Sequence, residues 1–509
     1  LQERLARLVD AELLYQRGLP PHTSYLFKHA LVQEAAYESL LKSERQEHHL
    51  RIAEVLVGQF EDVAVTQPEL VAHHYTEADA KPQAVVFWQR AGRRAVQRSA
   101  HVEAIRHLRK GLELLRVLPD SRERAQQELA LQGALGVSLM ATRGYASLDV
   151  EAAYTRAREL CEQLGDTRRL LPVLMGLLAF YLVRADLRMA RQIGEQLRAG
   201  GEAAEDPAHR LNAHYTLAHV LFFQGEFSPT REHAERGAAV YDPAKHNPHA
   251  TGAGQDPGVS CLSYASLALW MLGYPDQALQ KSEEALAHAQ RLSHTFSRAY
   301  ALGIAAMFRQ CRGEVRAVEE HVEAMIPLCQ EQEFAFHLGW ATILQAWSIV
   351  EQGPTEQALD QMRHGLAIFE STGAEILRPY WMALQAEACR RLGRIEEGLA
   401  VLSTALDKVR QHGERFYEAE LHRLTGTLLL ATESDRAAEA CFVQAIDVAR
   451  EQGARSLELR ATVSLSRLYQ RQGKTTEARR QLAELYAWFT EGFETADLTV
   501  ARALLAELA

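Results

Sequence analysis

The amino-acid sequence predicts an all-α fold, a right-handed solenoid of helix–turn–helix units of about 40 residues each. Three observations predict it. The first is composition: 31 Gly and 15 Pro in 509 residues, 7% aromatic, with Ala, Leu, Glu, Arg and Gln in visible excess, the residues that lose least on entering a helix. The second is a repeat. Gly273-Tyr-Pro-Asp-Gln-Ala278 is followed at 40-residue steps by Gly313 with Val318, Gly353 with Ala358, Gly393 with Gly398, Glu433 with Ala438, and Gly473 with Ala478. The third is a small side chain seven residues before each turn: Ser266, Ala306, Ala346, Ala386, Gly426 and Ser466. Small residues let two helix axes approach closely, and Gly ends a helix because its φ is unrestricted. One such unit cannot bury its apolar face alone, so neighbours must stack, leaving a concave inner surface.

Taken in order, residues 1–45 differ from the array. Leu5, Leu8, Leu13 and Leu14 suggest a helix, Gly18-Leu-Pro-Pro21 a turn, Thr23-Ser-Tyr-Leu-Phe27 a short strand, and Lys28 to Leu41 a second helix. Together they resemble the tail of a winged-helix module. Over 46–120, Ala84 and Ala91, following the break at Asp79-Ala-Lys-Pro82, and then Ala104 and Gly111 read as helical hairpins leading into the array. The solenoid occupies 121–494. Ala185 with Ala190 and Gly225 with Ala218 keep its step, and Leu262, Ala265, Leu269 and Leu272 show its helical apolar spacing. The step from Gly225 to Gly273 is 48 rather than 40, which places an eight-residue insertion in a loop at 242–258. Leu498, Ala501, Leu505 and Leu508 give an amphipathic helix at 495–509, suited to cap the last apolar face.

Small-x6-Gly-x4-Ala-x6-Ala is the tetratricopeptide (TPR) pattern. The usual TPR unit is about 34 residues, so each unit here carries about six more, expected as longer helices. HEAT and armadillo repeats match the length, at about 40–47 residues, but not the spacing of small residues.

Charge and cysteine usage exclude several classes. With 56 Lys+Arg against 66 Asp+Glu the net charge is −10, and residues 1–57 hold seven basic and eight acidic side chains. That argues against a nucleic-acid surface, winged-helix resemblance included. Six cysteines without a CxxC pair point away from a disulfide scaffold or zinc site and toward a reducing cytoplasm. The longest apolar run, Val173 to Val183, falls short of the ~20 residues a membrane span needs, and these residues show no basic-then-apolar signal-peptide pattern. The chain starts at Leu1 without Met and reads as a piece of something longer.

Catalytic motifs fail on inspection. Gly473-Lys-Thr475 lacks the glycine that a phosphate loop needs five residues earlier, where Leu468 stands. Gly258-Val-Ser260-Cys-Leu262 lacks the closing glycine of a nucleophile elbow. Gly252-Ala-Gly254 has no flanking strand. His48-His49 and His73-His74 are adjacent pairs that diverge by about 100° on a helix, so neither pair chelates well by itself. No catalytic residue, metal site or cofactor is expected in this chain.

Two features point to binding. The insertion is the one long Gly/Pro-rich stretch inside the array. It is either a plain connector or a loop folded over the concave face, presenting His246 and Asp256 to a ligand. Projecting the TPR register onto the first helix of each unit, the groove would be lined by Trp270, Tyr300, Trp340, Trp347 and Tyr380, and by Glu387, Arg390, Glu420, Arg423, Arg460 and Arg467. Arg beside Glu offers directional hydrogen bonds, and aromatics in a groove offer stacking faces. The same pattern would arise if the solenoid coiled tightly and packed these aromatics into its core.

Several runs carry a family resemblance. Tyr25-Leu-Phe-Lys-His-Ala-Leu-Val-Gln-Glu-Ala-Ala-Tyr-Glu-Ser-Leu40 resembles the segment following the ATPase core in bacterial class III adenylate/guanylate cyclase fusions with an AAA/STAND-type ATPase and TPR repeats. Gln255-Asp-Pro-Gly-Val-Ser-Cys261, Leu269-Trp-Met-Leu-Gly-Tyr-Pro-Asp-Gln-Ala278, Gly413-Glu-Arg-Phe-Tyr-Glu-Ala-Glu-Leu-His422 and Trp488-Phe-Thr-Glu-Gly-Phe-Glu-Thr-Ala-Asp497 are similar to that family's C-terminal region. The resemblance covers essentially the whole chain. It implies an ATPase, and often a cyclase or kinase domain, upstream in cis, and for this part a non-catalytic sensor and regulatory arm binding a protein partner or small-molecule effector. An assembly scaffold without a small-molecule site is the alternative. TPR domains that clamp a peptide's terminal carboxylate use Lys and Asn along the groove. Here Ser263, Gly303, Ile343 and Ala383 occupy those places.

Overall fold

The computed structural model describes residues 2–18, 23–98, 100–204, 207–243, 255–292 and 294–509. They form two compact units, Leu1–Ser138 and Leu139–Ala509.

The first unit opens with α1 (Gln2–Asp10), β1 (Leu14–Arg17) and β2 (Ser24–Phe27). The strands pair antiparallel with Leu14 opposite Phe27 and Arg17 opposite Ser24. The helix expected to run through Leu13 and Leu14 therefore stops earlier, at Asp10, and Glu12 takes a positive φ of 58° to turn the chain into β1. After α2 (Ala30–Glu38) come α3 (Lys42–Gln59), α4 (Glu61–Thr66), α5 (Pro68–Glu77), α6 (Lys81–Gln97) and α7 (His101–Leu115). Val71, Tyr75, Ala84, Phe87, Trp88 and Ala91 make the core of this unit. The α6–α7 hairpin has the close approach its small residues predict: a Cβ on Gly92 would lie 2.5 Å from Leu108 Cδ2. α8 (Arg122–Arg143) runs across the unit boundary.

The second unit is an all-α solenoid of helix pairs: α9 (Leu148–Leu164), α10 (Thr167–Val183) with α11 (Leu187–Ala204), α12 (Pro207–Phe223) with α13 (Phe227–Val240), and α14 (Pro257–Met271) with α15 (Pro275–Arg291). It continues with α16 (Thr295–Cys311) and α17 (Val315–Glu331), α18 (Ala335–Gln352) and α19 (Glu356–Ser371), α20 (Arg378–Arg391) and α21 (Ile395–His412). Then come α22 (Glu418–Leu430) and α23 (Asp435–Gln452), α24 (Arg455–Arg471) and α25 (Thr475–Tyr486), and last α26 (Ala496–Glu507). Two helices of about 17 residues plus their turns account for the 40-residue step, as the longer-helix expectation required.

The small positions meet where the sequence pattern placed them. Ser266 Oγ donates to the Ala278 carbonyl at 2.8 Å, and Ser466 Oγ to the Ala478 carbonyl at 3.3 Å. A Cβ on Gly426 would stand 3.1 Å from the Ala438 carbonyl oxygen. The turn positions are left-handed at Gly273, Gly313, Gly393 and Gly473, and also at Ala185 and Glu433, with φ of 57° and 56°. Gly353 departs, with φ 179°: the following Pro354 confines it to extended backbone, and Thr355 caps α19 through the Ala358 amide. A second series of left-handed residues, Glu333, Gly373, Gly413 and Gly453, follows the ends of α17, α19, α21 and α23.

Turns from distant repeats also bind each other. The Val183 carbonyl accepts from the Glu375 and Ile376 amides at 2.8 and 3.2 Å. One repeat on, the Phe223 carbonyl accepts from the Arg415 and Phe416 amides at 2.7 and 3.2 Å. Further along, Ser456 Oγ donates to the Trp270 carbonyl and an Arg460 Nη to the Cys311 carbonyl. Glu491 accepts from the Asp276 and Gln277 amides, satisfying donors that the first turn of α15 leaves free. The end of one first helix thus touches the start of the first helix about five units later, and the coil closes on itself.

Candidate functional site

Closure decides what becomes of the expected groove. Trp270, Trp340 and Tyr380 are 2%, 2% and 0% exposed. An aromatic side chain buries about 150–250 Å², roughly 4–6 kcal/mol of hydrophobic free energy, so packing them inside the coil is far cheaper than wetting them. Trp340 lies against Trp381 with ring centroids 5.8 Å apart and stacks on His337. Tyr300 shares a hydrogen bond of 3.0 Å with His219 Nε2, whose pKa burial pushes down to about 4. Tyr380 donates to Gln310 Oε1 at 2.7 Å. The expectation of a groove lined by these aromatics is therefore corrected in favour of its alternative: Trp270, Tyr300, Trp340 and Tyr380 are core residues of a tight coil.

The insertion is corrected too. Asp256 is fully buried rather than presented to a ligand. Its carboxylate accepts from the Val259 amide at 2.9 Å, capping α14, and from Tyr241 Oη at 2.7 Å, with His288 Nε2 at 3.5 Å. The orphan amides of a helix start and a buried phenol give it that structural role. His246 lies outside the described residues.

The remaining groove residues converge. A cavity of about 340 Å³ opens at the inner face of the coil, walled by the first helices α16, α18, α20, α22 and α24 and closed on one side by α26. Trp347, Glu387, Glu420, Arg423, Arg460 and Arg467 all line it. Arg390 stands beside them through a bidentate pair with Glu387, at 2.8 and 2.7 Å. Trp270 lies beneath Arg460, whose guanidinium carbon is 5.1 Å from the ring centroid.

Its charges are held in place by one another. Arg423 grips Glu420 at 2.8 and 2.7 Å, and Arg460 reaches the same carboxylate at 3.7 Å. Burial would raise the Glu420 pKa, but Arg423 and Arg460 hold it below the usual range. Arg391 grips Glu351 at 2.7 and 2.6 Å and touches Glu387 at 3.3 Å. Here burial, assisted by Glu387, outweighs Arg391 and raises the Glu351 pKa. Arg460 also bonds Asp497 of α26 at 2.9 Å. The terminal helix, expected only as a cap, therefore supplies a wall and a charge.

Sequence reasoning missed Glu351, Arg391, Tyr417 and Asp497. Glu351 and Arg391 carried a signal, since they are opposite charges one 40-residue step apart on consecutive first helices. Asp497 lies 37 residues after Arg460, close to one repeat step, and α26 stacks on α24 as the next first helix would, so the pair carried a similar signal. The histidine pairs behave in a way adjacency did not foresee: His49 Nδ1 and His74 Nδ1, from different helices, are 2.8 Å apart. Burial and the charges of His49 and His73 push His74 down to about 4. Among the described residues no group of three or more His, Cys, Asp or Glu could hold a metal ion, and no helix is long and apolar enough to cross a membrane.

No family model matches the sequence. The chain is 24% identical over 465 residues, 91% of its length, to an uncharacterized protein of Rhizobium meliloti (strain 1021). It spans 45% of that relative. Among solved structures it is similar to the Rap protein complexed with competence and sporulation factor, at TM-score 0.53 and 12% identity, covering 72% of this chain and 98% of that one. It is also similar to a STAND protein with a tetratricopeptide repeat sensor from Pyrococcus horikoshii, at TM-score 0.37 and 10% identity, over 78% of this chain and 60% of that one. At such identities the likeness is one of fold: this is a TPR-like α-solenoid.

Proposed function

We propose that this chain is a non-catalytic binding and regulatory solenoid, the sensor arm of a bacterial signal-transduction ATPase or nucleotide cyclase acting in the cytoplasm. A small effector or a short protein segment would occupy the cavity inside its coil. One observation carries the reading. Six residues picked from the repeat register, Trp347, Glu387, Glu420, Arg423, Arg460 and Arg467, line a single cavity walled by five consecutive first helices and α26. The likeness to a Rap protein complexed with a factor agrees with a coil of this kind holding a ligand. Because α16 and α24 are joined across the coil through Arg460 and Cys311, a ligand touching both favours the closed coil, and that differential affinity is what would bias an attached domain.

The test is a thermal-shift titration of the chain against metabolites and short peptides, beside Val500→Trp, which fills the cavity from α26 where Val500 is 39% exposed. The effector is expected to raise the Tm of the wild type and not that of the variant. A ligand stabilising both equally binds elsewhere and refutes the assignment. Trp340→Ala is unsuitable, because a residue 2% exposed reports folding rather than binding.

The reading as an assembly scaffold draws on Leu31, Leu41 and Val65, which are 78%, 68% and 65% exposed. A solution mass that falls to the monomer on Leu31→Glu with Leu41→Glu would support it.

A further inference from the structure

We propose that the cavity takes an organic anion: one carboxylate or phosphate group carried on an apolar body. This rests on the reading of the cavity as a ligand site and names the ligand's class.

The lining holds four arginines, Arg391, Arg423, Arg460 and Arg467, and four acids, Glu351, Glu387, Glu420 and Asp497, and Arg390 stands beside it. Arg390 pairs with Glu387, Arg391 with Glu351, Arg423 with Glu420 and Arg460 with Asp497. Each carboxylate is thereby engaged and one arginine is left over. Arg467 lies two helical turns beyond Arg460 on α24, lines the cavity, is exposed, and makes no hydrogen bond or ion pair among the described residues.

Three further polar groups on the lining have unused donors. Trp347 is 4% exposed, and its indole N–H makes no hydrogen bond among the described residues. Tyr417 is 3% exposed, and its hydroxyl makes no hydrogen bond among the described residues. Gln310 is 7% exposed; its Oε1 accepts from Tyr380, while no bond is made by its Nε2 among the described residues. The spare hydrogen-bonding capacity of the lining thus includes a guanidinium, a phenol, an amide N–H and an indole N–H, four donors. A guanidinium fork recognises a planar carboxylate or a phosphate face bidentately. Leu384, Leu424, Leu459, Val463 and Val500 supply the apolar part of the wall, the usual mixture in a site that fixes orientation by a few polar groups.

The probes are 1-naphthoate and its uncharged amide, titrated calorimetrically into the 509-residue chain. Naphthoate is expected to bind at least tenfold tighter than the amide, and Arg467→Met to remove that preference while leaving amide binding within twofold. Arg467 is exposed and unpaired, so this variant folds. Arg467→Lys is expected to retain part of the preference, as a point charge without the fork. Failure of naphthoate to bind, or a preference unchanged in Arg467→Met, overturns the anion inference. If the preference is absent but Val500→Trp abolishes binding of both probes, the cavity remains a ligand site and only its class was misread. If both probes bind Val500→Trp as they bind the wild type, the cavity reading falls with it.

Discussion

Glu414 offers a sharp test of the coil closure. It sits at the turn before α22, is 1% exposed, and its Oε1 accepts from the Leu377 amide at 2.9 Å, while Oε2 has no partner. Burial, assisted by Glu375 and opposed by the Leu377 amide and Lys408, pushes its pKa from 4.5 up to about 8. Below about pH 4.5 the carboxyl is neutral in folded and unfolded chains alike, and stability is undiminished. Between 4.5 and 8 the folded protein keeps a proton that the unfolded chain releases, so stability falls as pH rises. The fall is 1.36 kcal/mol per pH unit, about 5 kcal/mol by pH 8. Glu414→Gln removes the ionisation and keeps the acceptor for Leu377. At ~2.1 cal/mol/K per residue over the roughly 370 residues of the second unit, 5 kcal/mol corresponds to about 6 °C in Tm. Calorimetric scans are expected to show the variant and the wild type melting together at pH 5, with the variant about 6 °C higher at pH 9. A constant offset at both values, or a variant less stable at pH 9, would refute the idea that a buried carboxylate is being forced to ionise between two turns of the coil.

Four further outcomes follow from the repeat and the cavity. Glu433 is exposed and held at φ 56°, a conformation costing a non-glycine residue about 1–2 kcal/mol. Glu433→Gly should therefore gain about 0.5–1 kcal/mol in urea titrations, net of its greater unfolded-state entropy. Gly339→Ala would place a Cβ 2.8 Å from the Gly365 carbonyl oxygen and the Phe369 amide nitrogen, so backbone must move, and a loss of about 2–3 kcal/mol is expected on the same titration. Glu420→Ala leaves the half-buried Arg423 without its carboxylate, while Arg460 keeps Asp497, and should cost about 2–3 kcal/mol. Arg467→Met, which breaks no pair, should stay within about 0.5 kcal/mol; equal losses would mean that Arg467 has a structural role.

The relation between sequence and site is uneven for a physical reason. Period, turns and the small positions at Ser266, Ala306 and Ala346 are local, because they are set by helix geometry and by the contact between consecutive helices. They could be read from 40-residue steps alone. The first helices' inward residues are legible too, because the same register carries Trp347, Glu387, Glu420, Arg423, Arg460 and Arg467 to one face. What such reading could not supply was whether those side chains face water or each other.

The sequence by itself therefore determined an all-α solenoid and the cast of its inner face. The tertiary structure decided the curvature. Each unit adds a small rotation to the last, and the sum over about five units, rather than any one contact, brings the Val183 carbonyl to the amides of Glu375 and Ile376 and Arg460 to Cys311. That accumulated rotation turned Trp270, Tyr300, Trp340 and Tyr380 from groove into core. It laid Trp270 beneath Arg460, whereas Asp497 reaches Arg460 by the stacking of neighbouring layers, 37 residues on. Among the described residues one cavity-lining arginine is left without a carboxylate.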